Sequence, residues 1–323
     1  MDTLLISLHP RHSQNIVLGK KTIELRKTKP RMRKLTSRTS NNMNIKSPLR
    51  YPGGKSRAIK TISECLPEKF SEFREPFVGG GSVFIYLKQQ FPNLKISIND
   101  LNPELFLFWH LAKSDLSKLV SAVRQIKENH QDGKLLFAKL AHVDINTLSD
   151  LERATRFFVL NRITFSGTIE SGGFSLESFH KRFTNSSIDR LEKLEHILTQ
   201  DVKITNLDYS HLINEPGKEV FIFLDPPYVK AEKSKLYGKK GDLHTGFDHQ
   251  RLAETLKQCP HNWLITYDDC PEIRENFQWA NIIEWELQYG MNNYKQKKAE
   301  KGQELFISNY EIKQKLQKSQ LIA

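Results

Sequence analysis

Four residues, Asp225-Pro226-Pro227-Tyr228, directly follow the continuous apolar run Val220 to Leu224. An apolar run of that length ending abruptly reads as a buried parallel strand, and two prolines cannot continue its ladder. The chain must therefore leave the sheet in a stiff, fixed direction. This sets the Asp225 carboxylate and the Pro226 carbonyl side by side as two acceptors. An exocyclic NH2 on an aromatic ring needs two such acceptors: holding both hydrogens turns its lone pair out of conjugation and toward an electrophile. Tyr228 adds a flat face on which a base can stack. The plainer alternative is a Pro-Pro loop of no chemical consequence.

A second constellation is Glu75-Pro76-Phe77-Val78-Gly79-Gly80-Gly81-Ser82-Val83-Phe84. Glycines between a strand and a helix let the backbone pass close to a ligand at the helix N-terminus. Asp100 follows Gly79 by 21 positions, where a second-strand carboxylate can accept from a ribose diol. Phe84 occupies the last position of G-x-G-x-x-G, which disfavours a nicotinamide dinucleotide and fits a nucleoside without pyrophosphate. A purely structural glycine turn is the alternative. The third constellation, Lys46 to Lys55, contains Tyr51-Pro52-Gly53-Gly54-Lys55. Its aromatic and lysine can pack over a cofactor and meet a carboxylate, although a basic surface turn would look the same.

The elements that must position these residues follow from periodicity. Phe73 to Val78 reads as a strand, Ser82 to Gln90 as a helix, and Lys95 to Asn99 as an alternating strand with Asp100 at its end. Asn102 and Pro103 form a helix start, and Leu105, Phe108, Trp109 and Ala112 share one helical face. Residues 114–200 are helical in period apart from a glycine-rich stretch, Ser166 to Ser175. Phe247 to Gln258 reads as a helix; Trp263 to Tyr267, Ile282 to Tyr289 and Glu304 to Tyr310 read as strands, the last two joined by a loop from Gly290 to Gln303. The expectation is an α/β fold, a Rossmann-like sheet with an inserted, mainly helical segment. The segments expected are 1–44 as an N-terminal extension with a basic linker, 45–113 with 201–315 as the catalytic domain, and 114–200 as the insertion.

The 323 residues carry 49 Lys and Arg against 37 Asp and Glu, a net charge of +12, which suits a polyanionic partner. From Arg26 to Arg38 there are seven basic residues and no acidic one. No run reaches the length of a membrane span, and the N-terminus lacks the pattern of a signal peptide. Cys65, Cys259 and Cys270 form neither a disulfide framework nor a metal pair. No metal is expected; His244 and His249 are read as solvated or DNA-facing. The reading is a reducing-compartment, cytoplasmic and nucleoid-associated protein, a monomer or weak dimer.

Taken together these segments resemble the Dam-like (D12 class) adenine-N6 DNA methyltransferases over roughly residues 46–310. Asn99-Asp100-Leu101-Asn102, Asn161-Arg162-Ile163-Thr164-Phe165-Ser166-Gly167 and Asp208-Tyr209 add to the likeness. The resemblance implies S-adenosylmethionine as cofactor, contacted by Tyr51, Pro52, Gly53, Lys55, Asp100 and Asp225. Pro76, Phe77, Gly79, Gly81 and Ser82 would line its pocket, and Asp208 and Tyr209 would meet its adenine. The target adenine of double-stranded DNA would be flipped out, stacked on Tyr228 and held by Asp225 and Pro226 at the exit set by Pro227. Arg50, Arg162, Phe165 and Ser166 would face the DNA, with Lys181 and Arg182 near phosphates.

The stretch Thr164 to Phe174 departs from the family's GATC-reading sequence, so that site is not carried over. Residues 5–27 look like the opening of an ASCH (PUA-like) domain, too short to close its barrel. Rival readings are methylation of RNA adenine or of a protein glutamine, and a non-catalytic DNA-binding homologue.

Overall fold

The computed structural model describes residues 44–51, 53–169, 172–229, 246–288 and 301–312, and the chain from Ile45 onward belongs to one compact unit. The ASCH-like run, the basic linker, Pro52 and His244 lie outside the described residues. In chain order come α1 (Ile59–Glu64), β1 (Glu72–Glu75), α2 (Ser82–Gln90), β2 (Lys95–Asn99) and α3 (Pro103–Ser114). Then follow α4 (Leu116–Asn129), α5 (Gly133–His142), α6 (Asp150–Ile163), α7 (Leu176–Arg182) and α8 (Asn185–Glu192). The chain continues with β3 (Val202–Thr205), α9 (Tyr209–Asn214), β4 (Val220–Leu224), α10 (His249–Lys257) and β5 (Asn262–Asp268). It closes with α11 (Pro271–Asn276), β6 (Asn281–Gln288) and β7 (Lys301–Ser308).

Among the described residues the strands form one seven-stranded sheet in the order β3-β2-β1-β4-β5-β7-β6. The first five are parallel, and β7 runs antiparallel to both β5 and β6. This is the expected α/β, Rossmann-like architecture. The continuous apolar run in β4 is explained by its two covered faces: Phe221 and Phe223 join one core cluster, Val220, Ile222 and Leu224 the other. The strand order reverses between β1, whose successors lie on one side, and β4 on the other. At such a switch point the carboxyl ends of neighbouring strands open a crevice. The glycine segment leaves β1 there, and Asp225-Pro226-Pro227-Tyr228 leaves β4 beside it.

Several strand ends differ from the sequence reading, most at β1 and β7. β1 stops at Glu75 rather than Val78, since Pro76 offers no N–H. β7 begins at Lys301 because its ladder with β6 extends to the Gln288–Lys301 pair, shortening the expected loop. Asn102 caps α3 through its side-chain oxygen, which accepts from the backbone of Glu104 and Leu105. The predicted face of Leu105, Phe108, Trp109 and Ala112 is buried. Phe108 packs against Phe157 and Phe158 of α6 at centroid distances of 5.8 and 6.0 Å, so residues 114–200 share a core with the sheet. No helix among the described residues is long and apolar enough to cross a membrane.

Candidate active site

Asp225 stands one residue past β4. Its Oδ1 receives the Lys55 ammonium at 2.7 Å and the Thr266 hydroxyl of β5 at 2.8 Å. Lys55 lies at the start of a short 3-10 turn, is only 4% exposed, and also donates to the Gly53 carbonyl at 3.0 Å. Its Nζ stands 4.9 Å from the centroid of the Tyr228 ring, within reach of a cation–π attraction. At the far end of that ring the Tyr228 hydroxyl donates to Glu304 of β7 at 3.2 Å. The residue expected at the cofactor's carboxylate thus pairs with the catalytic candidate itself.

The glycine loop is built from β1, β2 and α3. The Val78 N–H donates to the Asn99 carbonyl at 2.9 Å, and Gly79 and Gly81 have φ of 45° and 69°, a left-handed conformation that suits glycine. The side chain of Tyr51 lies across the loop: a Cβ at Gly79 or Gly80 would approach it to 2.9 Å. Trp109 donates its indole N–H to the Gly79 carbonyl at 3.2 Å. Asp100 accepts from the Gly79 N–H at 3.1 Å and the Asn102 N–H at 3.0 Å. Ser82 opens α2 directly after the loop, with Gly81 as its N-cap.

Charge in this crevice is unbalanced. Burial pushes the Asp100 carboxyl up to about 6, against the backbone N–H groups that favour its anion. Burial pushes Glu75 well above the usual carboxylate range, opposed by the Phe84 N–H at 3.1 Å and reinforced by Asp225 and Asp100. Burial is also the chief reason that Glu304 is raised to about 7, with Lys55 pulling it down and Asp225 pushing it up. Several carboxylates around one buried ammonium favour a ligand that brings positive charge.

At the other rim, Phe77, Tyr209 and Phe247 cluster, with Phe77 5.4 Å from Tyr209 and 5.7 Å from Phe247. Asp208 caps α9 and receives both Arg251 nitrogens, at 2.9 and 3.0 Å. Burial alone would raise its carboxyl, but hydrogen bonds from Arg251 and Ser210 win and lower it to about 2. The Arg251 guanidinium stands 5.0 Å from the Tyr209 centroid.

The expected DNA contacts divide. Phe165 is 67% exposed, Lys181 and Arg182 are exposed, and Ser166 holds a φ of 55° beside Phe165. Arg50 points its guanidinium at the Thr164 carbonyl, 3.3 Å, and the Ser178 hydroxyl, 3.0 Å. Arg162 requires correction: it is buried, donating to the Pro48 carbonyl at 3.0 Å and the Arg182 carbonyl at 2.8 Å. Burial, with Arg50, Arg190 and Arg182 nearby, lowers it to about 9. Its guanidinium ties the Pro48 segment to the end of α7. His249 is corrected likewise: it is buried against the Tyr267 hydroxyl at 2.9 Å, not solvated. Among the described residues no cluster of His, Cys, Asp or Glu is arranged to hold a metal ion.

Sequence reasoning did not assign Glu75, Thr266 or Glu304, nor Phe247 and Arg251 at the rim. Glu75 was legible as a carboxylate ending a buried strand. Thr266 and Glu304 sit on strands far along the chain, and only the sheet order brings them to Asp225 and Tyr228.

A family model described as D12 class N6 adenine-specific DNA methyltransferase matches residues 51–291. Among individual proteins, the chain is 26% identical over 287 residues to the type II methyltransferase M1.LlaDCHI of Lactococcus lactis subsp. cremoris, covering 84% of this chain and 97% of that one. It is 27% identical over 235 residues to the type II methyltransferase M.MjaIII of Methanocaldococcus jannaschii, 67% of this chain and 81% of that one. It is 23% identical over 268 residues to the DNA adenine methylase of Haemophilus influenzae, 78% and 89% of the two chains.

Proposed function

Because the chain belongs to the D12 class N6 adenine-specific DNA methyltransferases and so methylates adenine N6 in DNA, we propose that its methyl donor is S-adenosylmethionine and that the acceptor is an adenine flipped out of a duplex at one short sequence. The observation that carries this reading is the pairing of Lys55 with Asp225 at 2.7 Å, because it joins the segment beside the glycine loop to the Asp-Pro-Pro-Tyr exit.

The residues suit that donor. The loop at Gly79 and Gly80, where a Cβ would strike Tyr51, is a backbone cradle without side chains of its own. Asp100, at the tip of β2 beside the Gly79 N–H, supplies the carboxylate for a ribose diol in this reading. Phe77, Tyr209 and Phe247 offer apolar faces to a purine, and the surplus of carboxylates favours a cationic ligand. When bound, the donor supplies a methyl group already activated on positively charged sulfur.

The chain's own residues then act by positioning. Asp225 and the Pro226 carbonyl accept the two amine hydrogens of the target. Tyr228 stacks on the base, and its ring face tolerates positive charge passing over it. No strong base is required, since the methylated nitrogen sheds its proton readily. Residues 45–113 and 201–315 form the catalytic part in this reading, and 114–200 the part that reads DNA, with Arg50, Phe165, Ser166, Lys181 and Arg182 toward the duplex.

The test is incubation of unmethylated genomic DNA with labelled S-adenosylmethionine, followed by nucleoside analysis and mapping of modified positions. N6-methyladenine at one short motif is expected. Label absent from duplex DNA but present in folded RNA would sink the duplex assignment.

A further inference from the structure

Glu304 lies beyond the residues that the family match covers, and neither Asp225-Pro226-Pro227-Tyr228 nor the glycine loop contains it. It opens the apolar stretch of β7, opposite Asp268 of β5 and Trp285 of β6. Its side chain is nonetheless inside, with the residue 1% exposed. Burying a carboxylate is costly unless its partners use it. Among the described residues, the groups that face it include Lys55 from the turn after Gly54, Asp225 and Tyr228 from the exit of β4, and Asp268 from β5.

Tyr228 is held from two directions. Its ring faces the Lys55 ammonium at 4.9 Å, and its hydroxyl donates to Glu304 at 3.2 Å. The main chain at its other end is stiffened by Pro226 and Pro227. A ring fixed at its backbone, on its face and at its hydroxyl has little freedom to tilt.

We propose that Glu304 is a positioning residue for methyl transfer: it anchors the Tyr228 hydroxyl and helps keep Lys55 over the ring, so the face that receives the flipped base is set before DNA arrives. This rests on the reading of Tyr228 as the base-stacking residue. Keeping the Lys55 ammonium over the ring takes a negative charge, so Glu304 works as the anion. Burial raises its carboxyl to about 7, and turnover therefore falls as pH drops through that value.

The experiment compares Glu304→Gln, Glu304→Leu, Tyr228→Phe and the Glu304→Leu/Tyr228→Phe double variant in kcat, in KM for each substrate and in pH profile. Glu304→Leu and Tyr228→Phe should each lower kcat about tenfold, the scale of one hydrogen bond to a charged group, with KM for the methyl donor nearly unchanged. The double variant should be no slower than Glu304→Leu alone, because Tyr228→Phe removes a bond that is already lost there. Glu304→Gln keeps an acceptor oxygen for Tyr228 but loses the charge that faces Lys55, so at pH 8 it should be several-fold slower than the parent and should lack the parent's fall in kcat between pH 8 and pH 6. Wild-type kcat in Glu304→Leu and Tyr228→Phe, or a multiplied loss of about a hundredfold in the double variant, would overturn the proposal. If Glu304→Leu does not fold, an unchanged pH profile in Glu304→Gln overturns it equally. Tyr228→Ala separates the two readings. Full activity there removes the base-stacking role itself, whereas inactivity beside fully active Glu304→Leu removes only the role of Glu304.

Discussion

Asn161 brackets the backbone of Arg50, accepting from its N–H at 2.9 Å and donating to its carbonyl at 2.6 Å. The same amide donates to the Gly167 carbonyl at 3.2 Å, and Asn161 is fully buried. One side chain thus joins the segment leading into Tyr51 and Lys55 to the end of α6 and the turn beside Phe165. Arg162 repeats the tie one residue on, through Pro48 and Arg182.

Asn161→Ala takes this partner from the part-buried backbone of Arg50 and from the buried Gly167 carbonyl, at a cost of about 1–3 kcal/mol per group that water cannot reach. A lower melting temperature and a raised KM for both methyl donor and DNA are expected. Steady-state kinetics beside thermal melting checks this, and an effect on DNA alone would show that the bracket does not reach the Lys55 segment.

Asp225→Ala removes the partner of Lys55 and Thr266 together with the acceptor proposed for the target amine. Methyl transfer should fall by a hundredfold or more, on the order of losing a preorganised polar partner, with duplex binding largely retained. Single-turnover label incorporation and fluorescence anisotropy measure the two separately. Near-normal transfer would overturn the assignment of this residue.

Gly81→Ala should destabilise by about 1–3 kcal/mol, the scale of strain at an unfavourable backbone conformation. A Cβ there would come within 2.4 Å of Phe84 and 2.8 Å of Trp109 at a φ of 69°. Gly173→Ala, with nothing within 4 Å of the new carbon, is the control and should melt as the parent does. Equal melting of the two variants would show that the loop yields.

Asp100 and Glu304 have folded-state values of about 6 and about 7, above their ordinary 3.8 and 4.5. The folded protein therefore holds these protons more tightly than the unfolded chain. The stability they contribute is complete below the unfolded values and is lost as pH rises through 6 and 7. Between pH 8 and pH 5.5 the ligand-free melting temperature should rise on acidification, and Asp100→Asn should flatten part of that slope. Asp208, lowered to about 2, acts with the opposite sign and only at more acid pH. Affinity for the methyl donor should run the other way, weakening below about pH 6 as Asp100 loses its charge, by up to about tenfold per unit. Calorimetric titration across that range measures it; an affinity independent of pH would remove Asp100 from the ribose.

Lys181 and Arg182 stand exposed at the end of α7, and Lys181 pairs with Glu177 at 3.0 Å in a solvent-exposed i,i+4 bridge. Replacing each by alanine should weaken duplex binding about evenly across sequences and reduce the slope of log affinity against log salt by about one. An unchanged slope would place the phosphates elsewhere.

Local chemistry made part of this protein readable in advance. An apolar run stopped by two prolines can only be a strand leaving its sheet, and Asn102-Pro103 can cap a helix with no help from the rest of the chain. The glycine loop, Asp100 at the tip of β2 and the Asp-Pro-Pro-Tyr exit were legible for this reason. Contacts distant in sequence were not. Arg162 and Arg182 look alike as letters, yet packing of α6 against α3 turns one inward, where carbonyls must satisfy it, and leaves the other in water. His249 is equally unmarked, and only the stacking of α10 on β5 buries it against Tyr267. Glu304 looks like the polar start of an edge strand until β7 inserts antiparallel between β5 and β6. That sheet order carries its carboxylate to the Tyr228 hydroxyl, and strand order is fixed by how faces pack in three dimensions, not by any property of the residue itself.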